Sequence, residues 1–334
     1  MHTPTPFPAV TITGVGAYAP ARVMTNDDLS KFVDTNDEWI KSRTGIRERH
    51  IARDDEPASA MAAEAGRLAL DKAGALPEEI DLLVVATVTP DSAMPSTACR
   101  VQPLLGLIHA TCFDLNAACS GFIFALETAR QFIATGTARK ALVIGVDKMS
   151  TVIDWQDRTT CVLFGDGAGA VVLERAVSGR GILSCATGGD GSMADLLQIP
   201  AGGSALPASE ETLKNRLHYL RMEGNRVFKG AVRGMADVAN LALEQAHVSP
   251  DDLCCVVPHQ ANLRIIQALA EKLNIAIDRC VINLDRFGNT TAATIPIALD
   301  EALAQGRIKD GDLILFVAFG AGLTWGAFVL EWGR

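Results

Sequence analysis

The sequence lacks a lysine and arginine cluster, a CxxC pair, a long apolar run and any wealth of aromatic side chains. Each absence removes a class of function. Its 30 basic residues stand against 39 acidic ones, a net charge of −9. Duplex nucleic acid demands clustered cations, so it is not an expected partner. The eight cysteines are Cys99, Cys112, Cys119, Cys161, Cys185, Cys254, Cys255 and Cys280. Their spacing matches neither a zinc site nor a disulfide framework, so no metal is expected. No apolar stretch reaches the ~20 residues of a membrane helix. The first eight residues, MHTPTPFP, lack the basic and apolar regions of a signal peptide. The expectation is a protein of the reducing cytoplasm, away from membranes.

What is present is apolar: 49% of 334 residues are hydrophobic and 21% charged. That suffices for a large core and excludes global disorder. At about 150 residues per domain the length suggests two domains, or one fold built from two halves. Short β-branched runs (Asp81-Leu82-Leu83-Val84-Val85, Ala141-Leu142-Val143-Ile144-Gly145, Val171-Val172-Leu173, Leu313-Ile314-Leu315-Phe316-Val317) alternate with helical patterns such as 120–135 and 227–245. This predicts an α/β chain.

The chain also repeats itself. Ala69-Leu70-Asp71-Lys72-Ala73, followed by Pro77-Glu78-Glu79-Ile80 and an apolar run, matches Ala242-Leu243-Glu244-Gln245-Ala246, Pro250-Asp251-Asp252-Leu253 and another. The same offset of 173 carries Asn116 to Asn289 and Ala125-Leu126-Glu127 to Ala298-Leu299-Asp300. Near each end, Gly169-Ala170-Val171-Val172-Leu173-Glu174 echoes Gly326-Ala327-Phe328-Val329-Leu330-Glu331. Two related halves are expected, 1–175 and 176–334, with an irregular excursion over 188–208. Chemistry in such a fold gathers at the seam between copies.

Three segments offer reactive groups. In Ala117-Ala118-Cys119-Ser120-Gly121-Phe122 a thiol sits between a strand-like run and an apolar helix, where helix N–H groups favour thiolate. The other seven cysteines are read as buried structural side chains. Pro258-His259-Gln260-Ala261-Asn262 presents His259 just after a strand, where ligands gather in α/β folds. Gly288-Asn289-Thr290 puts Asn289 on a turn before a helix, a position that also suits a simple turn former. A glycine-rich turn, Phe319-Gly320-Ala321-Gly322, can aim an N–H at a developing oxyanion. Gly14-Val15-Gly16 and Gly165-Asp166-Gly167-Ala168-Gly169 are not expected to bind nucleotide: Pro20 follows the first, and a strand the second.

Together with Asn36-Asp37-Glu38-Trp39-Ile40, Arg43-Thr44-Gly45-Ile46, Phe164-Gly165-Asp166-Gly167 and Glu223-Gly224-Asn225, these segments resemble the condensing enzymes of the thiolase superfamily. The nearest branch is the β-ketoacyl-[acyl-carrier-protein] synthase III family, and the likeness spans nearly the whole chain. It implies a five-layered αβαβα fold of two pseudo-symmetric halves, a homodimer, and condensation of a short acyl-CoA with malonyl-[acyl-carrier protein], initiating fatty acid synthesis. By that resemblance Cys119 carries the acyl group, while His259 and Asn289 stabilise the malonyl enolate. The backbone N–H groups of Cys119 and Ala321 form the oxyanion hole.

The resemblance further assigns CoA binding to Trp39, Arg43, Thr44, Arg158, Asn225 and Asn262, with Trp39 and Arg158 sandwiching adenine. It assigns the acyl pocket to Met94, reaching in from the partner, and to Phe319. It gives docking of the acidic carrier protein to Lys229, Arg264 and Lys272. CoA thioester is a substrate here, and no cofactor is implied. Thin, adaptable Met94 predicts acetyl primers with tolerance for longer or branched ones. Alternatives are a specialised-metabolite acyltransferase of the same type, a Cys–His–Asn thioester hydrolase, or a non-catalytic binding module.

Overall fold

The computed structural model describes residues 8–177 and 179–333; the amino-terminal segment read above as no signal peptide lies, but for Pro8, outside them. In the first half, β1 (Val10–Tyr18), α1 (Ala58–Ala73), β2 (Leu82–Ala86), β3 (Thr111–Leu115), α2 (Gly121–Ala134), β4 (Lys140–Asp147) and β5 (Gly167–Arg175) follow in order. In the second come β6 (Ile182–Gly189), α3 (Gly224–Ala246), β7 (Leu253–Pro258), α4 (Leu263–Lys272), α5 (Thr294–Ala304), β8 (Leu313–Gly320) and β9 (Thr324–Glu331).

The sheets have matching orders, β1-β5-β4-β2-β3 and β6-β9-β8-β7. Each pairs its first three strands antiparallel and adds parallel neighbours beyond. Where the first sheet has β3, the second keeps an isolated parallel bridge, Val256 to Cys280. The repeated sequence segments fall on corresponding elements: α1 with α3, the one-turn helices Pro77–Glu79 and Pro250–Asp252, and β5 with β9.

Five layers result. Helix α1 covers the first sheet, α2 and α5 lie between the sheets, and α3 with α4 covers the second. Held between the sheets, α2 buries Phe122, Ile123, Ala125, Leu126, Ala129 and Ile133, while Glu127, Arg130 and Gln131 bond one another along its less buried side. Strand β2 is wholly buried and reads as a continuous apolar run, as a strand covered on both faces requires. At Gly145 in β4 a Cβ would come within 2.3 Å of the Ala292 carbonyl oxygen, so glycine lets the halves close together.

Packing does not respect the sequence division. Met24, Leu29, Ile40, Ile46, Cys161 and Phe164 belong to the same apolar cluster as α3 and α4. Gly14 and Gly16 lie within β1, and the segment from Gly165 runs into β5. The seven remaining cysteines are not uniformly buried, a correction to the sequence reading. Cys99 is exposed, with its sulfur 3.6 Å from that of half-buried Cys112. Among the described residues no group of three or more His, Cys, Asp or Glu could hold a metal, and no helix is long and apolar enough to cross a membrane.

Candidate active site

Cys119 sits on a one-turn helix, Ala118–Ser120, that leads from β3 into α2. The turn is strained: Ala118 has φ +48°, and its N–H is met by Asn116 Oδ1 at 3.2 Å. The second half repeats this device. Thr291 has φ +50°, and its N–H is met by Asn289 Oδ1 at 2.9 Å. The offset of 173 carries Ala118 to Thr291 and Cys119 to Ala292. One copy of the turn bears sulfur where the other bears a methyl group.

The sequence predicted a thiol primed as thiolate by its helix, and the structure corrects this. Cys119 is 8% exposed. Burial, then the nearby Asp147 carboxyl, push the Cys119 thiol up to about 12, and a backbone N–H opposes them only weakly. Desolvation outweighs the helix terminus. The resting group is a thiol, so its reactivity follows the small thiolate fraction. Alkylation of Cys119 by iodoacetamide, followed by mass spectrometry, is expected to quicken about tenfold per pH unit from pH 6 to 9. A plateau below pH 8 would contradict this.

Two donors come from the other half. His259 follows β7 and is held by its backbone N–H to Val317 O (2.8 Å) and by Nδ1, 2.7 Å from Thr294 Oγ1. Burial pushes its pKa down to about 3, so the imidazole is neutral. Gln260 anchors the loop behind it, donating to Pro258 O and Val281 O and accepting from Asn283 N. Asn289 exchanges backbone hydrogen bonds with Leu163 and Gly165, which gives the Gly165-Asp166-Gly167 motif its structural purpose. Because Asn289 Oδ1 is taken by Thr291 N–H, its NH2 is the free end of the amide. His259 Nε2 and Asn289 Nδ2 have no protein partner among the described residues and are not sealed from solvent.

Beneath the seam lies Asp147, fully buried at the end of β4. One carboxylate oxygen accepts from Thr87 Oγ1, Val88 N, and both N and Oγ1 of Thr89. The other accepts from Thr291 Oγ1 and Ala292 N of the second half. A β-branched residue in the left-handed region costs about 1–2 kcal/mol, whereas a hydrogen bond to a charged group contributes about 1.5–3 kcal/mol. The strained Thr291 is therefore sustained. Sequence reading missed Asp147, Thr291 and Thr294; the only signal was a charge ending the apolar β4 run.

The glycine-rich turn is fastened to the nucleophile. Thr324 Oγ1 lies 2.7 Å from Ser120 Oγ, and both hydroxyls bond Ala117 O. The left-handed backbone falls on Gly322, φ +138°, and not on Ala321, so alanine is tolerated in this turn. A cavity of about 500 Å³ opens here, lined by Cys119, Ala321, Gly322 and Thr291 at one end and by Val88, Met149, Phe164, Leu197, Ile199 and Leu220 elsewhere. Residues of the predicted irregular excursion, Ala194 to Ile199, form part of its wall.

The other predicted residues divide. Arg158 and Arg43 both lie over the Trp39 ring, at 4.9 and 5.6 Å from its centroid. Asn262 caps α4 and donates to Arg43 O, and Arg264 donates to Ser42 O, bringing these segments to one surface. Asn225, Lys229 and Lys272 are exposed on α3 and α4. Thr44 is a correction. It is buried, and its hydroxyl bonds Ile40 O and accepts from Ile46 N, finishing the helix Asp37–Thr44 instead of facing CoA. Phe319 is another: its ring edge lies beside Gly230 of α3, and, like His259 and Asn289, it is not among the residues that line this cavity. Met94 is 86% exposed and outside the cavity of its own chain.

The duplicated αβαβα fold is that of the thiolase-type condensing enzymes. Comparison with known proteins narrows this. The family profile for 3-oxoacyl-[acyl-carrier-protein (ACP)] synthase III matches residues 113–191, and that for its C-terminal part matches 243–332. The β-ketoacyl-[acyl-carrier-protein] synthase III of Symbiobacterium thermophilum is 54% identical, covering 97% of this chain and 98% of that protein. Its counterpart in Caldanaerobacter subterraneus subsp. tengcongensis is 51% identical, covering 98% of each. The crystal structure of 3-oxoacyl-[acyl-carrier-protein] synthase III from Aquifex aeolicus VF5 aligns with a TM-score of 0.90 at 49% identity, covering 97% of this chain and 100% of that one. The chain belongs to the β-ketoacyl-[acyl-carrier-protein] synthase III family, whose members are condensing acyltransferases.

Proposed function

We propose that the chain joins a short acyl group from acyl-CoA to malonyl-[acyl-carrier protein], with Cys119, His259 and Asn289 as the reacting set. The Cys119 sulfur attacks the thioester carbonyl, CoA leaves as its thiol, and an acyl-enzyme remains. The malonyl thioester then binds with its carbonyl oxygen against His259 Nε2 and Asn289 Nδ2. The carboxylate bond breaks, CO2 departs, and the electron pair is held as an enolate by two donors that do not titrate near neutrality. The enolate carbon attacks the acyl carbonyl, whose oxyanion meets the Cys119 and Ala321 N–H groups. The Cys119 sulfur leaves as thiolate and takes a proton from solvent, releasing 3-oxoacyl-[acyl-carrier protein].

The observation that carries this reading is that His259 Nε2 and Asn289 Nδ2 have no protein partner among the described residues, while the turn after Asn289 packs against the thiol-bearing turn. The apolar walls of the cavity support acetyl as primer with room for longer or branched groups. CoA enters as substrate, over Trp39, Arg43, Arg158, Asn225 and Asn262, and the steps call on no cofactor. Exposed Lys229, Arg264 and Lys272 offer the acidic carrier protein its docking charges. The exposure of Met94 supports a homodimer in which it reaches the partner's acyl pocket. We assign the protein to the cytoplasm and its halves to 1–175 and 176–334, the matching strand orders supporting the division.

Incubation with acetyl-CoA is expected to add about 42 Da at Cys119 by mass spectrometry, and none in Cys119→Ala. Malonyl-[acyl-carrier protein] should then discharge the adduct with release of CO2. Formation of free acetate without a carbon–carbon bond would indicate a hydrolase instead.

A further inference from the structure

In the proposed mechanism the acyl oxyanion meets two backbone N–H groups, of Cys119 and Ala321, which come from opposite halves of the chain. Such donors act only within about 2.7–3.1 Å of the place the oxygen will take, so their relative placement governs the step. Packing brings the two segments together. Gly320 lies against Cys119 N and Ser120 N, where its missing Cβ would be within 3 Å of both. Thr324 is the partner of Gly320 across β8 and β9, so the turn 321–323 leaves and returns between these two residues. On its far side the turn is anchored by Leu323, which donates to Asp190 O (3.0 Å) and accepts from Asp190 N (2.8 Å).

On the side facing Cys119 stands a pair of hydroxyls. Ser120 is wholly buried, and its Oγ lies 2.7 Å from Ala117 O and 2.7 Å from Thr324 Oγ1. Thr324 Oγ1 also reaches Ala117 O at 3.2 Å and Ala321 O at 3.1 Å. Two hydroxyl oxygens 2.7 Å apart share a proton, and two arrangements allow this. Either Ser120 donates to Ala117 O and Thr324 to Ser120, or Ser120 donates to Thr324 and Thr324 to the carbonyl of Ala117 or Ala321. In both, a hydrogen bond spans Ser120 and Thr324. It ties the residue after the nucleophile to the residue that closes the glycine-rich turn.

We propose that Thr324 is a positioning residue whose hydroxyl holds the Ala321 N–H in register with the Cys119 N–H, so that it is required for attack on the thioester carbonyl and not for the reactivity of the sulfur itself. The inference rests on the reading that these two N–H groups receive the oxyanion. Gly320 sets how closely the turn approaches Cys119, and the hydroxyl sets its direction. Valine at 324 keeps the shape and loses the hydroxyl. Ser120 can still donate to Ala117 O in that variant, so no buried hydroxyl is left without a partner.

The test compares Thr324→Val with Thr324→Ser, which keeps the hydroxyl. Acetylation of Cys119 is followed by mass spectrometry in single turnovers over a range of acetyl-CoA concentrations, beside alkylation of Cys119 by iodoacetamide. Alkylation displaces iodide from a saturated carbon and builds no oxyanion, so it reads the sulfur alone. In Thr324→Val the maximal acetylation rate should fall at least about tenfold. The half-saturating acetyl-CoA concentration and the alkylation rate should stay at their wild-type values, and Thr324→Ser should recover acetylation. Wild-type acetylation in Thr324→Val overturns the inference. So does a parallel loss of alkylation, which marks a collapsed turn and not a misaligned donor, and so does a failure of Thr324→Ser to recover. Should Thr324→Val not fold, Thr324→Ala carries the same expectation, since it cannot overpack the site. If the wild-type protein is alkylated at Cys119 yet takes no acetyl group there, the acyl-transfer reading itself fails, whatever Thr324 does.

Discussion

Replacing His259 or Asn289 by alanine should leave the transfer of acetyl to Cys119 nearly intact while CO2 release from the malonyl substrate falls about 10²–10³-fold, the usual effect of removing one donor from a developing oxyanion. On the proposed mechanism the split follows from where the charge appears: at the Cys119 and Ala321 N–H groups during acylation, and at the imidazole and the amide during decarboxylation. Alanine also removes the Nδ1 contact to Thr294 and the Oδ1 acceptor of Thr291 N–H, so the rates are compared only after circular dichroism shows both variants folded. Because the two donors act on one atom, the double variant should lose less than the product of the single losses. Single-turnover mass spectrometry of Cys119 beside radiometric CO2 release measures both halves. Equal damage to acylation and decarboxylation would remove the assignment of separate roles.

Gly320→Ala should be nearly as severe and of opposite character. An added Cβ would lie 2.8 Å from Cys119 N, 2.9 Å from Ser120 N and 3.0 Å from Ala117 O, all backbone atoms that cannot swing aside. The nucleophile turn must shift, and with it the N–H that serves the oxyanion. Acylation of Cys119 should fall about 10²-fold, and thermal unfolding should show a loss of about 1–3 kcal/mol from overpacking. Ala321→Gly is the control. Its backbone already avoids positive φ, so activity should barely change. Normal acylation in Gly320→Ala would mean that the strand and the turn are less tightly apposed than described.

Much of this architecture is legible in the residues. The duplicated helix, proline turn and buried strand predict two halves because each copy is a local unit whose apolar pattern survives. Cys119 and His259 stand out because each follows a strand, and a strand end is where an α/β fold exposes functional groups; Asn289 stands out on a glycine-containing turn before a helix. The ionisation state of Cys119 is another matter. A helix start favours thiolate, but the sequence does not report how dry the site is, and burial reverses the outcome. Thr44 and Phe319 fail for a similar reason. A hydroxyl finishing its own helix and a ring turned toward α3 are tertiary facts that motif position does not encode. Asp147 is hidden differently: its six donors come from two segments far apart in the chain, 87–89 and 291–292, and neither is unusual in sequence.

That carboxylate also bears on how the chain comes into being. As synthesis proceeds, the sulfur emerges well before either proton donor, and Asp147 emerges with only four of its six partners available. Helix α2 would have no second sheet to shelter it. A nascent first half thus carries the nucleophile in an unfinished setting, and competence arrives only when the last third of the polypeptide has left the ribosome.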